Sequence, residues 1–252
     1  FSQQSVSLFI AVLTSFAFGL VGFVDDYIKV VKKRNLGLRA RAKIVAQILI
    51  TGAFLTSLHL NGTLTTLVAL PLFGVVDFGY FFYPISFLLI IGMVNAVNLT
   101  DGIDGLAASV TFVSMLGFLF ISSMLGQTSI AVFSAAVAGG CGGFLAWNFY
   151  PAKTFMGDTG SMFLGGAVVS AAYCMGRPEL LLFLGFIYLI EAFSVMLQVG
   201  YFKLTHGKRI FKMSPIHHHF EMCGWSEIKI VAVFSLVCLI GVALGCLFVY
   251  LY

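Results

Sequence analysis

The sequence has 252 residues, of which 60% are hydrophobic and only 10% carry a charged side chain. Soluble domains carry roughly a quarter charged residues, so this composition excludes an ordinary soluble domain and indicates a membrane protein. The formal net charge is +4, but no nucleic-acid-binding motif accompanies it, so we expect membrane lipid and not nucleic acid to be its counterpart.

Eight apolar runs divide the chain, each close to the roughly 20 residues that a helix needs to cross the hydrocarbon core. They cover residues 6–24, 44–60, 81–97, 106–124, 128–147, 161–176, 180–202 and 229–251. Helices and closed barrels satisfy their backbone in lipid, and these runs lack the alternation of barrel strands. We therefore predict an all-α polytopic membrane protein with about eight transmembrane helices, folded as a single domain over residues 1–252.

The 14 lysines and arginines indicate the orientation of these helices. All except Arg177 follow an odd-numbered run. Because lysine and arginine accumulate in cytoplasmic loops, we expect those connections to be cytoplasmic and both chain ends to be external. The external segment 61–80 is too short to span the membrane and is rich in β-branched residues, which favours a small β-hairpin.

The first motif, FVDDYIKV, places Asp25 and Asp26 at the end of the first run, directly before lysines. A solvated helix end is one interpretation. Acids at a helix C-terminus oppose the helix dipole, however, and adjacent like charges repel unless a positive group compensates. We expect the pair to lie at the membrane interface and to meet a cation, a phosphate head group or both.

The second motif, NAVNLTDGIDGLA, repeats a polar side chain every three residues, at Asn98, Asp101 and Asp104. If the helix continues through them, all three lie on one side and offer oxygen ligands suited to Mg²⁺ or to sugar hydroxyls. The alternative is a tight turn with side-chain hydrogen bonds, which Gly102 and Gly105 favour.

The third motif, NFYPAKTFMGDTGS, places Asp158 between Gly157 and Gly160 just before an apolar run. Asp158 or a neighbouring hydroxyl could cap that helix, or the glycines could let a phosphate ligand approach the backbone. Phe155 in the same connection would anchor in lipid or stack on a base.

The fourth motif, SPIHHHFE, contains His217, His218 and His219. Zinc is one candidate ligand, although consecutive histidines do not all face one metal and Cys223 has no partner at zinc-finger spacing. Hydrogen bonds from the imidazoles to phosphate are the other. All four motifs fall in connections predicted to be cytoplasmic, so the topology predicts a shared site.

These four motifs, in this order and separated by apolar runs, resemble the polyprenyl-phosphate phosphoglycosyltransferases. The triple histidine followed by Phe220 and Glu221 is similar to the phospho-N-acetylmuramoyl-pentapeptide-transferase family within them. That family has ten spanning helices. The resemblance covers nearly the whole chain from the family's third helix onward, so we expect the chain to be a fragment that lacks the first two.

The resemblance implies a reaction. Phospho-N-acetylmuramoyl-pentapeptide passes from its UDP conjugate to undecaprenyl phosphate, which gives the first lipid-linked peptidoglycan precursor and releases UMP. Mg²⁺ is the implied cofactor, and the implied location is the bacterial inner membrane, with the site on the cytoplasmic face.

The resemblance also implies roles for individual residues. The implied catalytic residues are Asp25, Asp26 and Asp158, and the implied metal ligands are Asp158, Asn98 and Asp26. The implied substrate-binding residues are Lys43, Asn98, Asp101, Asp104, Asn148, Phe155, Gln198, His217, His218 and His219.

Three alternatives remain. A related polyprenyl-phosphate N-acetylglucosamine-1-phosphate transferase would share most motifs but usually differs at the histidines. A secondary transporter would place its acids near the membrane midplane within broken helices, and a non-catalytic lipid-binding scaffold would not need four separated motifs. The glycines from Gly139 to Gly143 allow close helix packing, inside the bundle or in a homodimer.

Overall fold

A computed structural model describes residues 2–33, 36–71 and 73–252. Most of these residues are helical, and the elements follow one another along the chain. The helices are α1 Gln3–Val31, α2 Ala40–Leu60, α3 Phe82–Thr100, α4 Leu106–Met124, α5 Thr128–Asn148, α6 Gly157–Cys174, α7 Leu181–Leu184, α8 Phe186–Leu204, α9 Ile216–Met222 and α10 Glu227–Leu251. Two strands, β1 Leu67–Leu70 and β2 Gly74–Asp77, and two short 3₁₀ helices, Gly79–Phe81 and Pro178–Leu180, complete the described part.

Seven helices in the described part are long and apolar enough to cross a membrane. They are α1 to α5, α8 and α10, and they coincide with seven of the eight predicted runs. The remaining predicted run, 161–176, forms α6, whose glycines, serines and Asp158 make it less apolar. Most of the α6 residues are buried, so this helix faces other helices and not lipid. The chain is therefore a multi-pass helical membrane protein.

Small residues allow α1 and α6 to approach each other closely. A Cβ atom on Gly22 would overlap the backbone carbonyl of Asp158, and one on Gly166 would lie 3.0 Å from the Cα of Ser15. Helices in lipid associate through such close backbone packing, because lipid tails are as apolar as the side chains they would replace. The glycines thus fix the α1–α6 interface, and that interface holds the N-terminus of α6 against the C-terminal half of α1.

The predicted hairpin is confirmed and marks one end of the bundle. Strands β1 and β2 pair antiparallel, from Leu67 opposite Asp77 to Leu70 opposite Gly74. The start of α1 meets the end of α2 on the side opposite the four motifs, where Gln3 Nε2 donates to the Asn61 carbonyl at 3.0 Å. The four motif-bearing connections lie at the other end.

The seventh predicted run, 180–202, is not one continuous helix. It is divided at Gly185 between α7 and α8. Ser114 Oγ donates to the Leu184 carbonyl at 3.0 Å, as expected in lipid, where a neighbouring side chain must satisfy each carbonyl that a helix break releases. A Cβ on Gly185 would crowd the Leu181 carbonyl and Met93, so glycine also permits the local packing.

The contact at Gly22 generates a prediction about stability. Gly22→Ala should lower the free energy of unfolding by about 1 to 3 kcal/mol, because the added methyl group separates α1 from α6. Gly92→Ala is the matched control, since a Cβ there meets nothing within 4 Å, and alanine in a helix is at least as favourable as glycine. Thermal unfolding in detergent measures both, and equal effects would contradict the proposed role of Gly22.

Candidate active site

Three carboxylates from two helices meet at the motif-bearing end of the bundle. Asp25, Asp26 and Asp158 each offer one oxygen, and these oxygens lie within 4.8 Å of one another. Asp25 is buried, with 4% of its surface exposed, and the other two are partly buried. The close α1–α6 packing brings them together, because Asp158 lies in the first turn of α6 beside the last turns of α1.

Each carboxylate is oriented by donors that bind one of its two oxygens. The backbone N–H of Leu38 donates to Asp25 Oδ1 at 2.8 Å. Thr159 donates to Asp26 Oδ2 twice, through its backbone N–H at 2.9 Å and its hydroxyl at 2.8 Å. Asn98 Nδ2 donates to Oδ1 of the third carboxylate at 3.1 Å. In every case the other oxygen remains for a cation.

Two lysines take up those remaining oxygens. Lys29 Nζ lies 2.6 Å from Asp25 Oδ2, 3.3 Å from Asp26 Oδ1 and 3.2 Å from Asp158 Oδ2. Lys43, a residue implied by the resemblance, pairs with Asp158 Oδ2 at 2.9 Å. Lys29 was not among the residues predicted for the site, although its spacing of four and three residues from the two acids of α1 predicts contact on a helix.

The donor set fits Mg²⁺. This ion prefers six oxygens at 2.0–2.1 Å, which places neighbouring ligand oxygens about 2.9 Å apart and opposite ones about 4.1 Å apart. The three aspartate oxygens need to close by only a small distance to meet that geometry. Asn98 directs its Nδ2 at Asp158 and also donates to Ser161 Oγ at 2.8 Å. In this arrangement Asn98 orients Asp158. For Asn98 itself to be a metal ligand, as the resemblance implies, its side-chain amide would have to rotate so that the oxygen faces the metal.

Of the two interpretations of the second motif, the structure shows the turn and not a helix that continues through Asn98, Asp101 and Asp104. Helix α3 ends at Thr100, and the next residues form turns up to Gly105, which has φ of 74°. The glycines favour this turn, which was the alternative interpretation of the motif. Asn98 therefore stays on the helix while the two acids lie in the turn.

Asp104 connects the turn to two other segments. Its Oδ2 accepts from the backbone N–H of Ala152 at 2.8 Å, and its own N–H donates to Glu227 Oε2 at 2.9 Å. The turn is thereby joined to the α5–α6 connection and to the first turn of α10. Asp104 thus has a structural role, and substrate binding by it remains a prediction.

Asp101 stands beside the aspartates without joining their hydrogen bonds. Burial raises the pKa of its carboxyl to about 6, and the negative charges of Asp158 and Asp26 add to the rise. The residue therefore changes charge near neutral pH in the metal-free protein.

Three further predicted residues lie on the surrounding connections. Asn148 is buried and donates to the Thr154 carbonyl at 2.9 Å, whereas Phe155 is 74% exposed. Gln198 Oε1 accepts hydrogen bonds from the backbone N–H groups of Ile210 and Phe211, both at 3.0 Å. The amides therefore shape the connections, and only Phe155 presents a free surface to a ligand.

The three histidines lie on the same short helix, with the rings of His217 and His218 4.2 Å apart, but each has a different polar partner. His217 is fully buried, and its Nδ1 lies 3.0 Å from Glu191 Oε2 on α8. A Cβ on Gly102 would overlap His217 Nε2, so this imidazole packs directly against the turn that contains Asp101. His218 pairs instead with Glu221 at 2.8 Å.

His219 accepts the backbone N–H of Lys212 at 3.1 Å, and its Nε2 lies 3.8 Å from Cys223 Sγ. In the part of the chain that the structure describes, the aspartates form the only group of three or more potential metal ligands. The zinc interpretation of the histidines therefore receives no support from their geometry.

Comparison with known proteins places this site in a family. The family called glycosyl transferase family 4 matches residues 8–176. A phospho-N-acetylmuramoyl-pentapeptide-transferase of Heliobacterium modesticaldum is 50% identical over 249 residues, which are 98% of this chain and 76% of that protein. The enzyme of the same name from Caldicellulosiruptor bescii is 49% identical over 239 residues, covering 92% of this chain and 73% of that protein.

The chain belongs to the phospho-N-acetylmuramoyl-pentapeptide-transferase family, within glycosyl transferase family 4. The resemblance seen in the four motifs is therefore confirmed. The residues matched to the broader family contain the three aspartates, both lysines and the Asp101–Asp104 turn. Glu191 and the histidines lie beyond that match, but the similarity to the transferase family extends over them.

Sequence reasoning missed several residues that build this site. Besides Lys29, they are Thr159, which binds the Asp26 carboxylate, and Ser161, which binds the Asn98 amide. The others are Glu191, which binds His217, and Glu227, which binds the backbone N–H of Asp104 in the turn. The first three lie within or beside the motifs, so closer attention to their hydrogen-bonding capacity would have found them. Glu191 lies alone in an apolar run, where an acid signals a buried partner but does not identify it.

The raised pKa of Asp101 generates a prediction about pH. The pKa of Asp101 in the folded state is about 6, above its ordinary value of 3.8, so the folded state binds this proton more tightly than the unfolded chain does. The protonated carboxyl therefore stabilises the folded state at low pH, and this contribution is lost as pH rises through 6. Asp101→Asn should therefore stabilise the metal-free protein by about 2 to 3 kcal/mol at pH 8 and by much less near pH 4. Thermal unfolding in EDTA measures this difference, and a gain independent of pH would contradict it.

The Glu191–His217 pair generates a second prediction. Removing either partner by alanine should cost about 3 to 5 kcal/mol, because the remaining group is buried without compensation, and the double variant should cost less than the sum. The exposed His218–Glu221 pair is the matched control, with an expected coupling of about 0 to 1 kcal/mol. A double-mutant cycle on each pair by thermal unfolding measures the coupling, and additive effects at Glu191 and His217 would contradict the prediction.

Proposed function

We propose that this protein transfers phospho-N-acetylmuramoyl-pentapeptide from UDP-N-acetylmuramoyl-pentapeptide to undecaprenyl phosphate. The products are the first lipid-linked peptidoglycan precursor and UMP. The single observation that carries this proposal is the cluster of oriented carboxylates at one end of a membrane helix bundle, where a lipid-borne phosphate and a soluble nucleotide can meet. The relatives that share the chain's sequence bear the name of this transfer activity.

The chemistry needs positioning and charge neutralisation more than covalent catalysis. Mg²⁺ is the proposed cofactor, and it would supply the positive charge that neutralises the diphosphate. Asp26 and Asp158 would hold it, because donors from the protein already orient both carboxylates. Lys43 is partly exposed beside Asp158 and would bind the diphosphate.

Asp25 is proposed to act on the acceptor. A phosphate monoester has a second pKa near 6, so at neutral pH little deprotonation of the lipid phosphate is needed. Asp25 would then position the acceptor through Lys29, the cation that it shares with the other two aspartates. The phosphate oxygen of the lipid attacks the β-phosphorus of the nucleotide sugar, and the bond to UMP breaks.

The remaining predicted residues are proposed to bind the rest of the donor. Asp101, Asp104, Asn148 and Gln198 would line the nucleoside pocket, and exposed Phe155 would stack on uracil. The histidines would bind the diphosphate or the sugar, and His217 is the one that packs against the Asp101 turn. Asn98 completes this set through its contact with Asp158.

The proposed location is the bacterial inner membrane, with this site on the cytoplasmic face. The basic connections, which lie at the same end as the aspartates, support that orientation. A homodimer is also proposed, because Gly139, Gly140 and Gly143 on α5 have no atom within 4 Å of an added Cβ and leave room for a second helix.

The alternatives differ from this proposal in testable ways. A transporter would place its acids near the middle of the spans, whereas the aspartates lie at helix ends. A transferase for N-acetylglucosamine-1-phosphate would accept UDP-N-acetylglucosamine as the donor. The two transferases are therefore separated by donor choice.

UMP release from the purified protein with Mg²⁺, undecaprenyl phosphate and either nucleotide sugar tests the proposal. We expect release only with the muramoyl-pentapeptide donor. Asp158→Asn should reduce it at least 100-fold, because a carboxylate proposed to hold the charge-neutralising Mg²⁺ is lost. Asp77→Asn at the opposite end is the matched control, since the asparagine oxygen can still accept from Thr66 and Gly79. Full activity in Asp158→Asn would contradict the proposed site.

A further inference from the structure

The ammonium group of Lys29 occupies the centre of the aspartate site. It contacts one oxygen of each carboxylate, at 2.6, 3.3 and 3.2 Å, and in each carboxylate the opposite oxygen is held by a donor from elsewhere in the protein. We propose that Lys29 is the resident counter-ion of this site and that a divalent cation displaces it on binding. This inference rests on the proposed Mg²⁺-dependent function.

Both cations cannot occupy this place together. The aspartates offer their oxygens within 4.8 Å of one another, and a magnesium ion at 2.0–2.1 Å from its ligands requires most of that space. The ammonium group lies among the same carboxylates, so it would be left in close contact with a divalent charge. Repulsion between the two cations favours the departure of the lysine, because it is the one on a flexible stem.

The charge balance of the site also favours exchange over addition. Among the charged groups that contact one another directly, three carboxylates stand against two lysines in the described structure. Adding a divalent cation while both lysines stay would make the cluster positive, whereas replacing Lys29 by that cation makes it neutral. Since a partly buried cluster is most stable when its charges compensate, replacement is the favoured outcome.

The Lys29 side chain is better placed than the Lys43 side chain to move out of the site. The Lys29 side chain is 33% exposed and lies in the last turn of α1, whereas Lys43 is 17% exposed and pairs with Asp158. A displaced Lys29 stays at the rim of the site on the same helix turn as the aspartates. From there its ammonium can meet the phosphate of an incoming substrate.

Amine labelling of the wild-type protein, followed by mass spectrometry, tests the displacement directly. With Mg²⁺ and without substrates, we expect Lys29 to be labelled several-fold faster than in EDTA, because its ammonium is released to solvent. Lys43 provides the internal control and should change little. Unchanged or slower labelling of Lys29 at a saturating Mg²⁺ concentration would overturn the inference.

Metal affinity provides a second, independent measurement. Titration calorimetry with Mg²⁺ should show at least tenfold tighter binding to Lys29→Met than to wild type, since no resident cation has to be displaced. Lys43→Met should change the affinity less than threefold. Equal effects of the two substitutions, or weaker binding to Lys29→Met, would overturn the inference.

The two measurements separate this inference from the proposed function. If wild type releases UMP and binds Mg²⁺ but Lys29 labelling does not respond, the inference alone fails. If wild type binds no Mg²⁺ at all, the metal-dependent part of the proposed function fails and the inference fails with it. The labelling measurement uses only wild type, so it decides the matter even if Lys29→Met does not fold.

Discussion

The site depends on one constraint: the negative charges of the three carboxylates at the α1–α6 interface must be compensated. Glycine at position 22 lets the two backbones approach until Asp158 lies beside Asp25 and Asp26. Burying like charges together is unfavourable unless positive groups and hydrogen bonds compensate them. Lys29 supplies the shared positive charge, so close helix packing and local charge balance require each other.

Polar contacts extend from this interface and join the connections that surround it. Asp104 links the turn after α3 to Ala152 and to α10, while Glu191 on α8 binds His217 of α9, whose ring packs against the same turn. In lipid the hydrophobic effect does not distinguish one apolar helix face from another. Specific polar pairs at one end of the bundle therefore contribute strongly to the arrangement of helices with similarly apolar surfaces.

Much of this arrangement could be predicted from the sequence, because apolar length and basic loops indicate spans and sides. The acids of the first and third motifs were expected to meet, and Asp25, Asp26 and Asp158 do meet. The break at Gly185 was missed, and the turn after Thr100 was only one of two interpretations, since each depends on contacts with other helices. Glu191 was missed for a related reason: its partner is 26 residues away, and only the folded chain shows it.

The two oxygens of each aspartate have different physical roles, and this difference suits a site that must exchange charged ligands. Donors from Leu38, Thr159 and Asn98 bind one oxygen of each carboxylate and keep the carboxylates in place. The other oxygen of each carboxylate contacts Lys29, whose flexible side chain can move without disturbing those donors. A site organised in this way folds with most of its negative charge already compensated, and the cation among the carboxylates can change without disturbing the donors that hold them.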